Sequence, residues 1–496
     1  MDETAYALGA SRTLWELVDR RAALTPGRPV LLQEDRVLTF GGLRDRAERV
    51  AAGLYAMGVR PGTVVAWQLP TRIETVLLTV ALARLGAVQS PVIPFCRDRE
   101  TGFALRESKA AFFGVPGEWR GFDHTAMARR LGAHGVFEAY ASLPDGDPAA
   151  LPAPPSSGTE VRWIYWTSGT TSDPKGVLHT DRSLIAGGSC LAHALHLTAE
   201  DVGSIAFPFA HIGGPDYLVM LLLYGFPAVL FEQFALPGAL AEYRRHGVTT
   251  AGGSTAFYAM FLAEQRKRPG EKLIPTLRLL AGGGAPKPPE LHHAVVREMG
   301  CTLTHGYGMT EVPMISMGSP DDTPENLAGT EGRPPAGMEI RIVDGEIRLR
   351  GEAVCQGYLG AVESPFDAEG FLRTGDLGHL TGSGHLVLTG RLKDVIIRKG
   401  ENISAKEIED LLHTHPAVGD AAVIGLPDAE RGERVCAVVE RALGAADPTL
   451  EELREHLRTS GLAVHKLPEQ LEVVDALPRN EALRKVLKYR LRERYG

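Results

Sequence analysis

The residues from Tyr165 to Val177 read Tyr165-Trp166-Thr167-Ser168-Gly169-Thr170-Thr171-Ser172-Asp173-Pro174-Lys175-Gly176-Val177, directly after the apolar run that starts at Val161. Thr167, Ser168, Thr170 and Thr171 offer hydroxyls, Gly169 offers an open backbone amide, and Lys175 brings a positive charge. Such a loop can wrap phosphate oxygens with N–H and O–H donors while the lysine offsets their charge. It is not a GxxxxGK[ST] phosphate loop, because Gly176 follows the lysine instead of preceding it. A polar linker has similar composition, but it would not start from an aromatic strand and close in Pro-Lys-Gly-Val.

The string resembles the phosphate-binding loop of the adenylate-forming superfamily, which holds acyl-CoA synthetases, nonribosomal adenylation domains and luciferases; Ser172 stands where glycine is commoner. Further segments resemble the same family in the same order, so the likeness runs from about residue 13 to 492. Gly284-Ala285-Pro286 resembles the backbone that lies against adenine. In His305-Gly306-Tyr307-Gly308-Met309-Thr310-Glu311 the resemblance implies adenine stacking by Tyr307, an α-phosphate bond from Thr310 and Mg²⁺ binding by Glu311. A hard cation wants carboxylate and phosphate oxygens, which suits that role. Thr374-Gly375-Asp376 implies a carboxylate on the ribose hydroxyls, supported by the spacing of Gly345-Glu346, Gly357-Tyr358 and Gly370-Phe371. Arg391 resembles a nucleotide-contacting arginine, Lys393 a hinge, and Gly400 the loop that faces the pantetheine tunnel.

Family members end in a proline-led loop whose lysine bonds the carboxylate and α-phosphate oxygens. Counting back from Val486-Leu487-Lys488 gives Lys485 that role, whereas counting forward from Pro478 reaches Arg484. Here the loop is one residue longer and lacks the glycine before the lysine. Lys485 is preferred, with Arg484 and Lys488 as alternatives.

By the same resemblance, Pro208-Phe209-Ala210-His211-Ile212-Gly213-Gly214 carries the gate of the acyl tunnel, with His211 as the gate itself. Gly213, Gly253, Ser254, Phe257, Gly282, Gly283, Val312 and Met314 are its wall, and Phe209 with Phe257 hints at a ring. None of these is charged. An ammonium would need a buried carboxylate partner, so the wall suits a medium-chain, alicyclic or aromatic monoacid. The implied activity is ATP- and Mg²⁺-dependent formation of an acyl-adenylate followed by transfer to coenzyme A. Alternatives are a carrier-protein phosphopantetheine as acceptor, an ATP-dependent diazotase using nitrite and an aryl amine, or a non-catalytic nucleotide-binding homologue.

These residues must be positioned by an α/β framework. Leu14, Leu17 and Val18 recur at helical spacing; Pro29 to Leu32 and Val64 to Leu69 read as strands, with an amphipathic helix over Leu43 to Met57 between them. The βα alternation continues towards residue 300 and predicts mixed sheets flanked by helices. Short strands within Glu339 to Leu349 and His385 to Thr389 predict a small β-rich subdomain. From Asp394 a compact α+β pattern follows, which divides the chain into an N-terminal domain, 1–391, and a mobile C-terminal domain, 392–496. At 496 residues, several cores are expected. A net charge of −8 disfavours a nucleic-acid partner. Nothing resembles a leader or a membrane span, since Tyr217 to Leu230 is broken by Gly225 and Pro227. Five scattered cysteines without a CxxC pair predict a reduced, cytoplasmic protein without a zinc site. The family-level expectation is a monomer or homodimer.

Overall fold

The computed structural model describes residues 3–167, 174–285, 287–361, 363–399, 401–479 and 486–496. Its central sheet runs in the order Gly176–Thr180, Val161–Trp166, Val88–Pro91, Val64–Trp67, Phe112–Val115, Val136–Glu138. Neighbours are parallel except for the first pair. The strand Val64–Trp67 is apolar without alternation, as a parallel strand covered on both faces should be. One of its covers is Ile73–Leu85, a helix buried along its whole length except at Glu74. Leu77, Val80, Leu82, Trp67 and Trp163 meet there in the largest core.

Two further sheets interleave with this one. The first orders Gly203–Ile205, Ala228–Leu230, Pro29–Gln33 and Arg36–Thr39. The second orders Thr250–Gly253, Leu279–Gly283, Thr302–Met309 and Val312–Met317, parallel until its last, antiparallel pair. The apolar stretch at 217–230 divides as its breakers require: the helix Gly213–Tyr224 stops at Gly225, whose φ of +72° is open to glycine, and Ala228–Leu230 is a strand. The mixed sheets expected from the βα alternation are present.

The region from 339 is an antiparallel sheet of Glu339–Val343, Glu346–Arg350, Leu372–Leu380 and Leu386–Arg391. Its first hairpin turns on Asp344 and Gly345, both at positive φ (51° and 82°), the pairing that a two-residue turn between right-twisted strands demands. After a short 3₁₀ turn at Leu392–Asp394 comes the last sheet, built from Val395–Arg398, Glu401–Ser404, Val418–Asp428, Gly432–Arg441 and Gln470–Val474. Helices Ala405–Leu412 and Leu450–Thr459 bury Ile408, Leu412, Leu453 and Leu457 on one face of it. The terminal helix Lys488–Tyr495 places Leu491 against Ile424 and Val438 on the other. Among the described residues no helix is long and apolar enough to cross a membrane.

Candidate active site

The hydroxyl-rich loop spans two antiparallel strands, Val161–Trp166 and Gly176–Thr180, with Trp166 opposite Gly176. Its base is closed by the Thr167 amide donating to the Lys175 carbonyl at 3.0 Å and the Lys175 amide donating to Thr167 Oγ1 at 3.2 Å. Ser168, Gly169, Thr170 and Thr171 lie outside the described residues, as do Pro286, Gly400, Arg484 and Lys485. The strand–loop–strand context agrees with a loop distinct from the strand–loop–helix phosphate cradle.

Lys175 opens onto a cleft of about 670 Å³ that it shares with Trp166, Tyr358, Glu346 and Thr374. Its Nζ stands 4.8 Å from the centroid of the Tyr358 ring, within cation–π range. The hydroxyl of that same tyrosine donates to Glu311 Oε1 at 2.7 Å. Tyr358 thus ties the loop lysine to the buried carboxylate in the turn between Thr302–Met309 and Val312–Met317. No cluster of three or more metal-ligating side chains exists among the described residues. A lone carboxylate suits a hard cation that arrives already bound to phosphate oxygens, and Glu311 fits that need.

Thr310 is held from behind. His179 Nε2–H donates to the Thr310 carbonyl at 2.8 Å, which leaves Nδ1 of the neutral ring to accept from Ser183 Oγ at 2.9 Å. Burial pushes the pKa of His179 down to about 4. A reciprocal cap, Thr180 Oγ1 accepting from the Ser183 amide and Ser183 Oγ from the Thr180 amide, fixes the start of helix Asp181–Ala194 and with it the serine. A second imidazole does similar work: His305 Nε2–H donates to the Ala285 carbonyl at 2.9 Å. Burial, reinforced by Lys287, lowers His305 to about 3. Beside it, burial raises Glu331 to about 7 and lowers Lys287 to about 8.

Tyr307 and Asp376 meet directly, the phenol donating to Oδ2, while Arg391 Nε lies 2.7 Å from Oδ1. Burial disfavours the guanidinium, but Asp376 and Tyr307 more than compensate, and the Arg391 pKa is raised. Lys393 occupies the 3₁₀ turn, its pKa lowered by burial and by Arg391. Lys488 pairs with Glu409 at 2.7 Å within the C-terminal sheet and helices. A β-carbon on Gly308 would lie 2.3 Å from the Pro313 carbonyl, whereas Gly284, at a φ of +83°, would meet nothing within 4 Å.

The acid wall is only partly as expected. His211 sits in a turn whose backbone is pinned by Thr71, which donates to the Phe207 carbonyl and accepts from the Phe209 amide. Gly213 lies beside it, its missing β-carbon 3.6 Å from His211 Nδ1. Ser254 stands at the N-cap position of the helix Thr255–Arg266 without a side-chain cap bond, and the ring of Phe257 covers Gly253. Phe209 and Val312, however, are both wholly unexposed: Phe209 fills the main core, and Val312 packs with Ile315, Ile347 and Leu349. Neither offers exposed surface to an acid in this structure. Gly282 and Gly283 are glycine for a different reason than room for substrate. A β-carbon there would strike the neighbouring backbone, 2.1 Å from the Gly253 carbonyl and 2.4 Å from the Gly306 carbonyl. Met314 is buried but lines a second cavity of about 450 Å³ together with Cys190 and Arg333. Glu331, Lys287, His179 and Asp216 are polar groups of this region that the sequence reading passed over; for Asp216 a signal existed, an acid leading an otherwise apolar helix.

Two family models match the chain: AMP-binding enzyme over residues 18–359, and AMP-binding enzyme C-terminal domain over 407–482. Among curated relatives, the salicyl-AMP ligase / salicyl-S-ArCP synthetase of Mycobacterium tuberculosis is 34% identical over 474 residues, covering 89% of this chain and 82% of the relative. The medium-chain fatty-acid–CoA ligase of Escherichia coli is 30% identical over 486 residues, covering 92% and 85%. Among solved structures, the O-succinylbenzoate coenzyme A synthetase of Bacillus subtilis in complex with ATP and a magnesium ion superposes with a TM-score of 0.84 at 30% identity, covering 96% of this chain and 98% of the other.

Proposed function

Since the chain belongs to the adenylate-forming family of AMP-binding enzymes, we propose that it activates a carboxylic acid with ATP and Mg²⁺ and transfers the acyl group to coenzyme A. The observation that carries this is Tyr358, whose ring meets Lys175 and whose hydroxyl meets Glu311. It links the phosphate-loop lysine, which lines the cleft, to the buried carboxylate that would hold the cation.

In the first half-reaction the substrate carboxylate attacks the α-phosphorus of ATP and pyrophosphate departs, leaving the acyl-adenylate. Thr167, Ser168, Gly169, Thr170, Thr171 and Lys175 hold the β- and γ-phosphates. Tyr307 stacks on adenine between the Gly284–Ala285–Pro286 backbone and Gly308, and Asp376 with Arg391 takes the ribose. Thr310 and Lys485 bond the α-phosphate oxygens as charge develops. Glu311 would hold Mg²⁺, which supplies charge neutralisation on the phosphates. Both reactants are anions, so placement and charge compensation supply the rate without a protein nucleophile.

In the second half-reaction residues 392–496 turn about Lys393, withdrawing Lys485 and presenting Gly400. The thiol of coenzyme A attacks the acyl carbonyl, loses its proton, and AMP leaves. The acid is a medium-chain, alicyclic or aromatic monoacid entering past His211. Five free thiols, none paired, support a cytoplasmic setting.

The name of the mycobacterial relative, a salicyl-S-ArCP synthetase, supports a second reading in which the acceptor is a carrier-protein phosphopantetheine. Mass spectrometry of reactions with ATP, Mg²⁺ and a panel of acids, run with coenzyme A, with a phosphopantetheinylated carrier, or with neither, tests both. Acyl-AMP that becomes acyl-CoA supports the first reading; acyl-AMP unchanged by coenzyme A but discharged onto the carrier replaces it with the second. No adenylate from any acid would sink both.

A further inference from the structure

Two carboxylates stand directly opposite each other on paired strands of the C-terminal sheet: Asp420 in Val418–Asp428 faces Glu440 in Gly432–Arg441. Like charges in that register repel and weaken the pairing. Between them lies Arg479, whose Nη2 is ion-paired with Asp420 Oδ2 and stands 3.6 Å from Glu440 Oε2. The Leu477 amide also donates to Glu440 Oε2, at 3.1 Å. Leu477 and Arg479 are where the chain enters the proline-led loop that carries Arg484 and Lys485.

The same network reaches the other end of that loop. His413 donates from Nε2 to Asp420 Oδ1 at 2.9 Å and from Nδ1 to the Glu409 carbonyl at 2.6 Å. Both partners can only accept, so the ring is held as the imidazolium. Burial opposes that charge, but Asp420 and the carbonyl outweigh it and raise the pKa of His413. Glu409 in turn takes the Lys488 ammonium on Oε1 at 2.7 Å and the Val423 amide on the same oxygen at 2.6 Å. The two ends also meet through the backbone: Arg479 and Val486 form an antiparallel bridge, and the Leu487 amide donates to the Pro478 carbonyl at 2.7 Å. One chain of contacts, Glu440–Arg479–Asp420–His413–Glu409–Lys488, therefore joins the entry of the loop to its exit.

Ion pairs that solvent reaches add little stability, so stability alone is a poor reason to keep two facing carboxylates. A guanidinium held by both of them, however, has a fixed direction. A residue in a longer loop sweeps further for the same tilt of its ends, and this loop is one residue longer than the pattern it resembles.

We propose that Arg479 is a positioning residue for adenylation: anchored by Asp420 and Glu440, it fixes the base from which the catalytic cation within residues 480–485 reaches the α-phosphate. This rests on the acid-activating reading above and on its assignment of that cation to Lys485, with Arg484 as the alternative.

The test is a double-mutant cycle read by ATP–pyrophosphate exchange, with benzoate, cyclohexane carboxylate and octanoate as the acids. A residue that acts only through another has nothing further to lose once that other is gone. Arg479→Ala should lower kcat by about 10- to 100-fold, with the KM for ATP changed by less than about threefold. In the Lys485→Ala protein the same change should cost less than about twofold. Arg479→Lys, which can set one ammonium between the same carboxylates, should return kcat to within about fivefold of the wild-type value. Equal loss from Arg479→Ala in both backgrounds marks a purely structural bridge and overturns the proposal while leaving acid activation standing. So does a wild-type loss below about threefold. If Arg484→Ala slows exchange and Lys485→Ala does not, the cycle with Arg484→Ala decides in the same terms. If neither of them slows exchange, the assignment of the catalytic cation fails and the proposal with it. Exchange with none of the acids removes acid activation and the proposal together.

Discussion

The Tyr307 phenol donates to one oxygen of Asp376 at 2.5 Å, and the other oxygen of that carboxylate holds Arg391 at 2.7 Å. One carboxylate thereby fixes a ring from the strand Thr302–Met309 and a guanidinium from the last residue before the 3₁₀ turn. Both partners orient Asp376 before any nucleotide arrives. Tyr307→Phe keeps the ring but removes the donor to a charged acceptor, an interaction worth about 1.5–3 kcal/mol. ATP affinity measured by calorimetry should therefore fall by roughly 10- to 100-fold. A loss under twofold would mean that Arg391 alone is enough to orient the carboxylate.

Tyr358 can be dissected in the same way. Tyr358→Phe preserves the face over which Lys175 lies and deletes only the bond to Glu311. Adenylation should then need more Mg²⁺ for half-maximal rate, with saturated kcat reduced about 10-fold. Glu311→Gln should cost about 100-fold or more. If the two variants show the same Mg²⁺ requirement as the wild-type protein, Glu311 does not hold the cation.

For the C-terminal loop the two half-reactions must be assayed separately. Lys485→Ala should slow adenylate formation by about 100- to 1000-fold and leave thioester formation from supplied acyl-adenylate within about twofold. Arg484→Ala should leave both nearly intact. The reverse pattern transfers the role to Arg484, and equal loss of both steps in Lys485→Ala rejects the alternating scheme.

His179 and His305 make the fold sensitive to acid. Their folded pKa values, about 4 and about 3, lie below the ordinary 6.5. Between about pH 6.5 and 4 the unfolded chain binds protons that the folded chain refuses, so stability rises with pH across that window and is lost as pH falls. For His179 alone the effect amounts to about 3 kcal/mol. Glu331 opposes it: with a folded pKa raised to about 7, it takes up its proton on folding and gives up stability as pH rises from about 4.5 to 7. Urea melts at pH 7.5 and 5 should show a loss at the lower pH that is smaller in His179→Asn and larger in Glu331→Gln. A pH-independent midpoint in the wild-type protein would contradict the burial of both imidazoles.

Much of this architecture could be read from the chain because its signals are local. The short strands within Glu339 to Leu349, the breaks at Gly225 and Pro227, and the apolar run of Val64–Trp67 depend on neighbours a few residues away. The groups that were missed depend on distant ones. His179 reaches a carbonyl 131 positions further along, and no spacing rule connects the two. The burial of Val312 could not be read locally either, because the pairing of Thr302–Met309 with Val312–Met317 slips between Tyr307 and Met309, which breaks the alternation that would assign its face.

The glycines at the strand ends have a consequence for how this protein could acquire a new substrate. Gly252 and Gly253, at φ of +142° and +149°, sit beside Ala281 and Gly282, and Gly283 beside Gly306. Added carbon at Gly252, Gly282 or Gly283 collides with a carbonyl at 2.0 to 2.4 Å, and carbonyls in a ladder cannot rotate away. That floor is closed to mutation in either direction: it has no side chain to shorten and no space in which to grow one. Any change of bulk at this edge must therefore come from outside the ladder, as at Gly213, where a β-carbon would find its nearest neighbour, the Phe207 ring, at 3.4 Å.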